Sequence, residues 1–299
     1  MEQSQLADGS KPCDQIVMVQ TLPVSSLLFR NPSSGPRYAV RIRAQDGREI
    51  LAADPRATRA LIALMDMNAV LGGAASHFGG PSALAELMSA LHAFMFDTAT
   101  WAGKDWQELY HFVNDAGHCE NGLYALKANY GLAGLTLESL KKFRDISSPL
   151  TGHGEVHCFP QGVFLSNGPL GSAFPQSQGL AIGEKISGKN RTTFCVISDG
   201  ASMEGEAREA FAAIPGLARV GKCAPYVLII SDNNTKLSGR IDEESFSMAP
   251  TFRALGHLGW DVLELADAHN LQKCFDVIAE AAQRVSLDPT RPVALSLIH

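Results

Sequence analysis

At 299 residues, 45% hydrophobic and 19% charged, the chain has room for a sizeable core and the composition of a globular α/β protein rather than a disordered one. A formal net charge of −6 with scattered Lys and Arg leaves no basic stripe, which argues against nucleic acid as a partner. No apolar run approaches the roughly 20 residues needed to span a bilayer, which argues against a membrane role. The start Met1–Gln5 has neither the basic residues nor the apolar core of a signal peptide. The six cysteines are spread without a CxxC pair and read as free thiols, so a cytoplasmic setting is expected.

In chain order, residues 1–55 read as an N-terminal extension, with disorder expected before about residue 14. Tyr38 to Leu51 alternates apolar and polar residues around Asp46-Gly47, a hairpin turn signal, so a small N-terminal β appendage is expected. Residues 56–299 read as the main domain. Its middle, about 77 to 190, reads as helices joined by Gly-rich loops. Pro81 to Phe96 is expected to be amphipathic, with Leu84, Leu87, Met88 and Leu91 on one face. His92 and His111 fall within helical patterns and read as surface or packing residues. The stretch Ser147 to Gly171 is a long loop, of a length usually kept for function, and a small-residue helix follows over about 172–186. Then come apolar runs at Phe194–Ser198, Tyr226–Ile230, Asp261–Leu265 and Val293–Ile298, separated by helical spacing such as Leu271, Cys274, Phe275, Ile278 and Ala282. Strands alternating with helices imply an α/β fold: a parallel sheet, buried on both sides, with helices on both faces.

Two polar pairs sit where such a sheet binds ligands, at the carboxyl ends of its strands. Asp199-Gly200 closes the Phe194–Ser198 run just before a helix, whose N-terminus offers free N–H groups to a phosphate. Asp232-Asn233-Asn234 follows the next strand. Either group alone reads as a turn former. Together, a carboxylate, an amide oxygen and a neighbouring backbone carbonyl are hard ligands suited to Mg²⁺ or Ca²⁺. His153, His157 and Cys158 lack the second ligand pair of a zinc site, and Cys119 reads as a packing residue.

Several stretches then resemble one family in the expected order. Ser198-Asp199-Gly200 with Met203-Glu204-Gly205 and Glu209-Ala210, and Val227 to Gly239, are similar to the cofactor motif of transketolases. Ser76-His77-Phe78-Gly79-Gly80, Phe112 to His118, and Gly152-His153-Gly154-Glu155 resemble its three histidine motifs, and Gly168-Pro169-Leu170-Gly171 is identical to its GPLG turn. Gly259-Trp260 and Asp267-Ala268-His269-Asn270 continue the likeness to about residue 298. Ser198 replaces the usual Gly, where it would crowd a diphosphate, and Phe78 replaces a Pro.

The resemblance implies the thiamine-diphosphate-binding fold, with thiamine diphosphate and Mg²⁺ (or Ca²⁺) as cofactors. It implies metal ligands Asp199, Asn233 and, through its carbonyl, Thr235. Counting back from Gly239 selects Asn233 over Asn234. His118 is implied to contact the diphosphate together with Gly200, and Gly168 and Leu170 the aminopyrimidine through backbone atoms. His77 and His153 would line the substrate channel and assist proton transfers, and Glu204 would face its counterpart across a dimer interface. Transfer of a two-carbon ketol unit between sugar phosphates is the implied reaction. A deoxyxylulose-phosphate synthase, a 2-oxo-acid dehydrogenase E1 component and a non-catalytic module on the same fold stand as alternatives. The family's pyrimidine-binding domain has no counterpart here. The expectation is therefore a fragment or half of a split enzyme, inactive alone, working in a homodimer or heterotetramer.

Overall fold

The computed structural model describes residues 27–236 and 239–299, so the expectation of disorder before residue 14 lies outside the described residues. The elements run β1 (Ala39–Arg43), β2 (Glu49–Ala53), α1 (Pro55–Leu71), α2 (Gly79–Ala83), α3 (Ala85–Trp101), α4 (Trp106–Leu109) and β3 (Tyr110–Asn114). They continue with α5 (Glu120–Tyr130), α6 (Leu137–Leu140), α7 (Ala173–Ile186), β4 (Thr192–Ser198), α8 (Gly205–Arg219), β5 (Tyr226–Asp232), β6 (Thr235–Lys236) and β7 (Gly239–Arg240). The last are α9 (Ile241–Glu244), α10 (Ala249–Leu258), β8 (Asp261–Leu265), α11 (Leu271–Leu287) and β9 (Val293–Ile298).

Five strands form one parallel sheet in the order β3-β4-β5-β9-β8. Successive residues of a strand point to opposite faces. In β4, Phe194 and Val196 therefore join the core under α3 and α11. Cys195 and Ile197 join the core that includes Phe174 of α7, Phe211 and Ile214 of α8, and Phe252 of α10. Both faces are covered, which is why β4 and β5 carry unbroken apolar runs and β9 is apolar but for Ser296. β8 is the exception: it lies at the sheet edge and alternates half-buried and exposed residues. A third apolar cluster, away from the sheet, joins α1 and α5 to Leu150, Phe159 and Val163 of the long loop.

β1 and β2 form the expected antiparallel hairpin, with Gly47 at φ +86° in its turn. It packs on α3, where Ser89 Oγ donates to Ala53 O (2.5 Å), and on the start of α11, where Gln272 bonds the backbone of Arg43.

Two expectations for the middle of the chain need correction. Residues 110–114 are a strand, β3, so His111 is not helical; it is buried, with Nε2 3.1 Å from Glu184. The Pro81–Phe96 segment breaks at Leu84, and α3 is buried on nearly every side rather than amphipathic. It packs against the hairpin and α11, and Phe94 meets Phe194 of β4 edge-on, with ring centroids 6.1 Å apart. Among the described residues no helix is long and apolar enough to cross a membrane.

Candidate active site

All five parallel strands end on one edge, and the polar residues singled out from the sequence gather there. Asp199 follows β4. Its N–H donates to Ser231 O of β5 (3.0 Å), which locks the carboxylate to the sheet. Oδ1 accepts from Gly200 N (2.8 Å) and Oδ2 from Asn234 N (2.6 Å). No Lys, Arg or His side chain bonds this carboxylate among the described residues, although it is only 1% exposed. Burial pushes its pKa up to about 7; the backbone N–H groups oppose the shift and the nearby Asp232 reinforces it.

The turn after β5 wraps over this carboxylate. Asn233 Oδ1 accepts from Thr235 N (2.9 Å), closing the turn on itself. Asn234 sits at φ +54°, and its Oδ1 accepts from Asp242 N (3.1 Å) at the start of α9. Asn234 is thus committed to a neighbouring element, while Asn233 is committed only within its own loop. Thr235 and Lys236 pair with Arg240 and Gly239, which pins the exposed Thr235 backbone. Ser198 Oγ accepts from Ala201 N (3.1 Å), so it caps the short 3₁₀ turn Ala201–Met203.

The three motif histidines come together on the far side of the edge. The His77 and His118 rings lie 5.0 Å apart between centroids. Burial, with smaller contributions from His77 and His153, pushes His118 down to about 4, so it is neutral at pH 7. The His153 pKa is also lowered, by burial first, then by Arg144 and His77. Close packing leaves no freedom here. A Cβ on Gly117 would lie 2.9 Å from Asn167 O and 3.0 Å from the His153 ring, and one on Gly80 would lie 3.2 Å from His118 Nε2.

The Gly168–Gly171 turn joins the two sides. Gly168 is exposed, and Leu170 is 41% exposed. At the other end Gly171 takes φ +79°, and a Cβ there would lie 2.7 Å from Glu204 Cβ. Glu204 is exposed just before α8.

Residues absent from the sequence-based site hold these parts in place. Asp115, just past β3, is fully buried and accepts from Gly171 N (2.8 Å) and Phe174 N (3.0 Å). Asn121 donates to His77 O (2.8 Å) and to Asp66 Oδ1 (3.1 Å), which also takes the Ser76 hydroxyl (2.6 Å). Buried Lys127 bonds Glu120 Oε1 (3.0 Å) and Gly162 O (2.6 Å), tying α5 to the long loop. Recognising β3 would have exposed Asp115, because a carboxylate at a strand's carboxyl end is the same signal that marked Asp199.

Residues 55–295 match the family described as transketolase, thiamine diphosphate binding domain.

The chain belongs to the transketolase family.

Among curated relatives of this transketolase-family chain, Transketolase 1 of Pasteurella multocida is 29% identical over 248 residues, covering 78% of the chain and 35% of the relative. Transketolase 2 of Xanthobacter flavus is 31% identical over 243 residues, covering 78% and 34%. The chain therefore spans about a third of the length of the curated relatives it matches. A solved transketolase from Pichia stipitis superposes with a TM-score of 0.63 at 25% identity, over 82% of this chain and 36% of that one. The transketolase from Leishmania mexicana shows the same fold, with a TM-score of 0.63 at 23% identity.

The donor set fits a divalent cation. A buried carboxylate beside a second acid, with no cationic side chain bonded to it among the described residues, is the arrangement a divalent cation neutralises.

Proposed function

We propose that this chain is the diphosphate- and metal-binding half of a thiamine-diphosphate-dependent transketolase that moves a two-carbon ketol unit between sugar phosphates. Its observational basis is Asp199, a buried carboxylate without a cationic partner among the described residues, on the same sheet edge as three clustered histidines. When bound, thiamine diphosphate supplies a centre that stabilises a carbanion next to a carbonyl.

The remaining work falls to the chain's own groups. Asp199, Asn233 and the Thr235 carbonyl hold Mg²⁺ (or Ca²⁺). Asn233 is favoured over Asn234 by the count back from Gly239 and by what each side chain bonds. Asn234 Oδ1 is tied across to Asp242 N of α9, whereas Asn233 Oδ1 bonds only Thr235 N within its own turn and keeps a second lone pair for a metal, as any amide oxygen does. Gly200, at the head of the 3₁₀ turn, lies against the diphosphate, and its N–H, which donates to Asp199 Oδ1 (2.8 Å), orients the metal-binding carboxylate. His118, neutral at working pH, donates a hydrogen bond to the diphosphate without a desolvated charge of its own. His77 and His153 face the donor sugar and carry its protons. Gly168 and Leu170 present exposed backbone to the aminopyrimidine ring. Glu204, exposed beside that turn, faces its counterpart in a second copy. The pyrimidine-binding domain comes from another domain or subunit, in a cytoplasmic homodimer or heterotetramer.

Calorimetric titration of the full chain with thiamine diphosphate tests this reading. Binding is expected only with Mg²⁺ or Ca²⁺ and is expected to fall at least ~100-fold in Asp199→Ala, because removing a charged ligand from a hard-cation site removes most of its affinity. Metal-independent binding, or none, would overturn the reading. Ketol transfer from a ketose phosphate, and not from pyruvate, is expected once a transketolase pyrimidine-binding domain is added. Full activity of the chain alone would sink the two-part reading.

A further inference from the structure

Behind the exposed Gly168–Leu170 backbone lies a carboxylate with no part in the proposed chemistry. Asp115 is 0% exposed. Its Oδ2 accepts from Gly171 N (2.8 Å) and its Oδ1 from Phe174 N (3.0 Å), and the Ala173 N–H also stabilises its charge. The Ala173 and Phe174 N–H groups are free ones at the start of α7, and Gly171 lies just before its N-cap, Ser172. Helix α7 has no cap of its own: Ser172 turns its hydroxyl to Pro169 O (2.8 Å), and Pro175 has no N–H to offer. Asp115 therefore caps α7 from the end of a different element, β3.

The other end of the turn is tied to the same place. The Asn167 amide donates to Asn114 O (2.6 Å) and Asp115 O (2.7 Å), and Asp115 N donates to Val196 O of β4 (2.8 Å). Both ends of residues 168–171 are thus anchored to the sheet edge through one strand terminus, while Gly168 and Leu170 between them stay exposed. The choice of residue costs the fold something. No cationic side chain bonds Asp115 among the described residues, the charge that acts on it is Glu206, and burial pushes its pKa up to about 6. A serine or asparagine would cap a helix at less desolvation cost. A carboxylate can hold Gly171 and Phe174 at once through its two oxygens, and that fixes the turn against α7.

We infer that Asp115 is a positioning residue that presets the Gly168–Leu170 backbone for the aminopyrimidine ring of the cofactor. This rests on the thiamine diphosphate reading, and the test separates the two. Two probes are titrated into the full chain with Mg²⁺: thiamine diphosphate, and inorganic pyrophosphate, which lacks the ring. In Asp115→Asn, thiamine diphosphate affinity is expected to fall about tenfold, the scale of one hydrogen bond to a charged group, with pyrophosphate affinity within about twofold of wild type. Equal losses for both probes would make Asp115 a general structural residue and overturn the inference, as would no change in either. Equal affinities of the wild type for the two probes would overturn it alone. No binding of either probe by the wild type would overturn the thiamine diphosphate reading and the inference with it. Should Asp115→Asn fail to fold, Asp115→Ser, smaller and still an acceptor, is expected to give the same split between probes.

Discussion

On the Asp199 side of the site, neighbouring strands of a parallel sheet aim the functional groups. Asp199 is one residue past β4, Asn233 one residue past β5, and backbone ladder bonds run up to Ser198 and Asp232. On the histidine side, His77 and His153 lie on irregular chain, and buried side chains from distant parts of the sequence do the holding: Asn121 for His77, Asn167 for the chain after His153, and the Glu120–Lys127 pair for the long loop. Regular structure aims a ligand through its backbone, which many sequences can build. The irregular half depends on a few polar contacts with no substitute. The two halves should therefore fail differently when single residues are changed.

The largest effect is expected at Lys127. Its ammonium bonds Glu120 and the Gly162 carbonyl in a site only 3% exposed. Lys127→Met leaves Glu120 buried without its partner, which costs about 3–5 kcal/mol. Urea denaturation would measure the loss, and the double variant with Glu120→Gln should recover part of it, because the uncompensated charge is gone. A loss below about 1 kcal/mol would mean the long loop is held some other way, and the contrast between the halves would collapse.

Asp199 should show the reverse behaviour. Its folded pKa is raised to about 7 from an ordinary 3.8, so the folded state binds the extra proton between those values. Its contribution to stability therefore falls as pH rises from about 4 to 7, with a penalty of order 4 kcal/mol complete above that window. Buried His118, pushed down to about 4, works in the opposite direction, its contribution falling as pH drops below its unfolded value, so the wild-type profile alone is ambiguous. The difference between wild type and Asp199→Asn isolates the carboxylate, since the amide resembles the protonated acid. With a chelator present, the variant should match wild type near pH 4 and exceed it by ~4 kcal/mol at pH 8. Mg²⁺ with thiamine diphosphate should reverse that order by binding only the wild type. An unchanged difference across pH would mean that Asp199 carries no ionisation penalty.

The same contrast explains what could be read from the sequence. β8 and β9 were legible to the residue, and β4 and β5 nearly so. For β4, β5 and β9 the reason is that strands buried on both faces have a local apolar signature, whereas β8, half-buried at the edge, was marked by its Val and Leu residues alone. β3 was not: Tyr-His-Phe-Val-Asn is short and polar at both ends, and lies at the sheet edge. The polar positions of α3 suggested a solvent face. They are buried because each has a remote or backbone partner: Arg59 for Glu86, Ala53 O for Ser89, Met88 O for His92. Gathering the motif histidines needed only their order along a known pattern. Asp115, Asn121, Asn167 and Lys127 belong to no such pattern, and their roles exist only once distant segments meet.

The smallest expected effect lies at Ser198, where the family resemblance calls for Gly and the sequence suggests crowding of a diphosphate. The structure gives the hydroxyl another part: it accepts the Ala201 N–H at the start of the 3₁₀ turn. That N–H is among the donors an anion at this turn would use. Ser198→Gly removes a cap and adds backbone freedom, which together cost about 0.5–1 kcal/mol. It also frees the N–H for a diphosphate oxygen, so pyrophosphate affinity with Mg²⁺ should rise about two- to fivefold. A fall in affinity instead would mean the serine hydroxyl itself donates to the diphosphate. The sheet-built half would then also depend on a side-chain contact outside the metal ligands, and the contrast between the two halves would narrow.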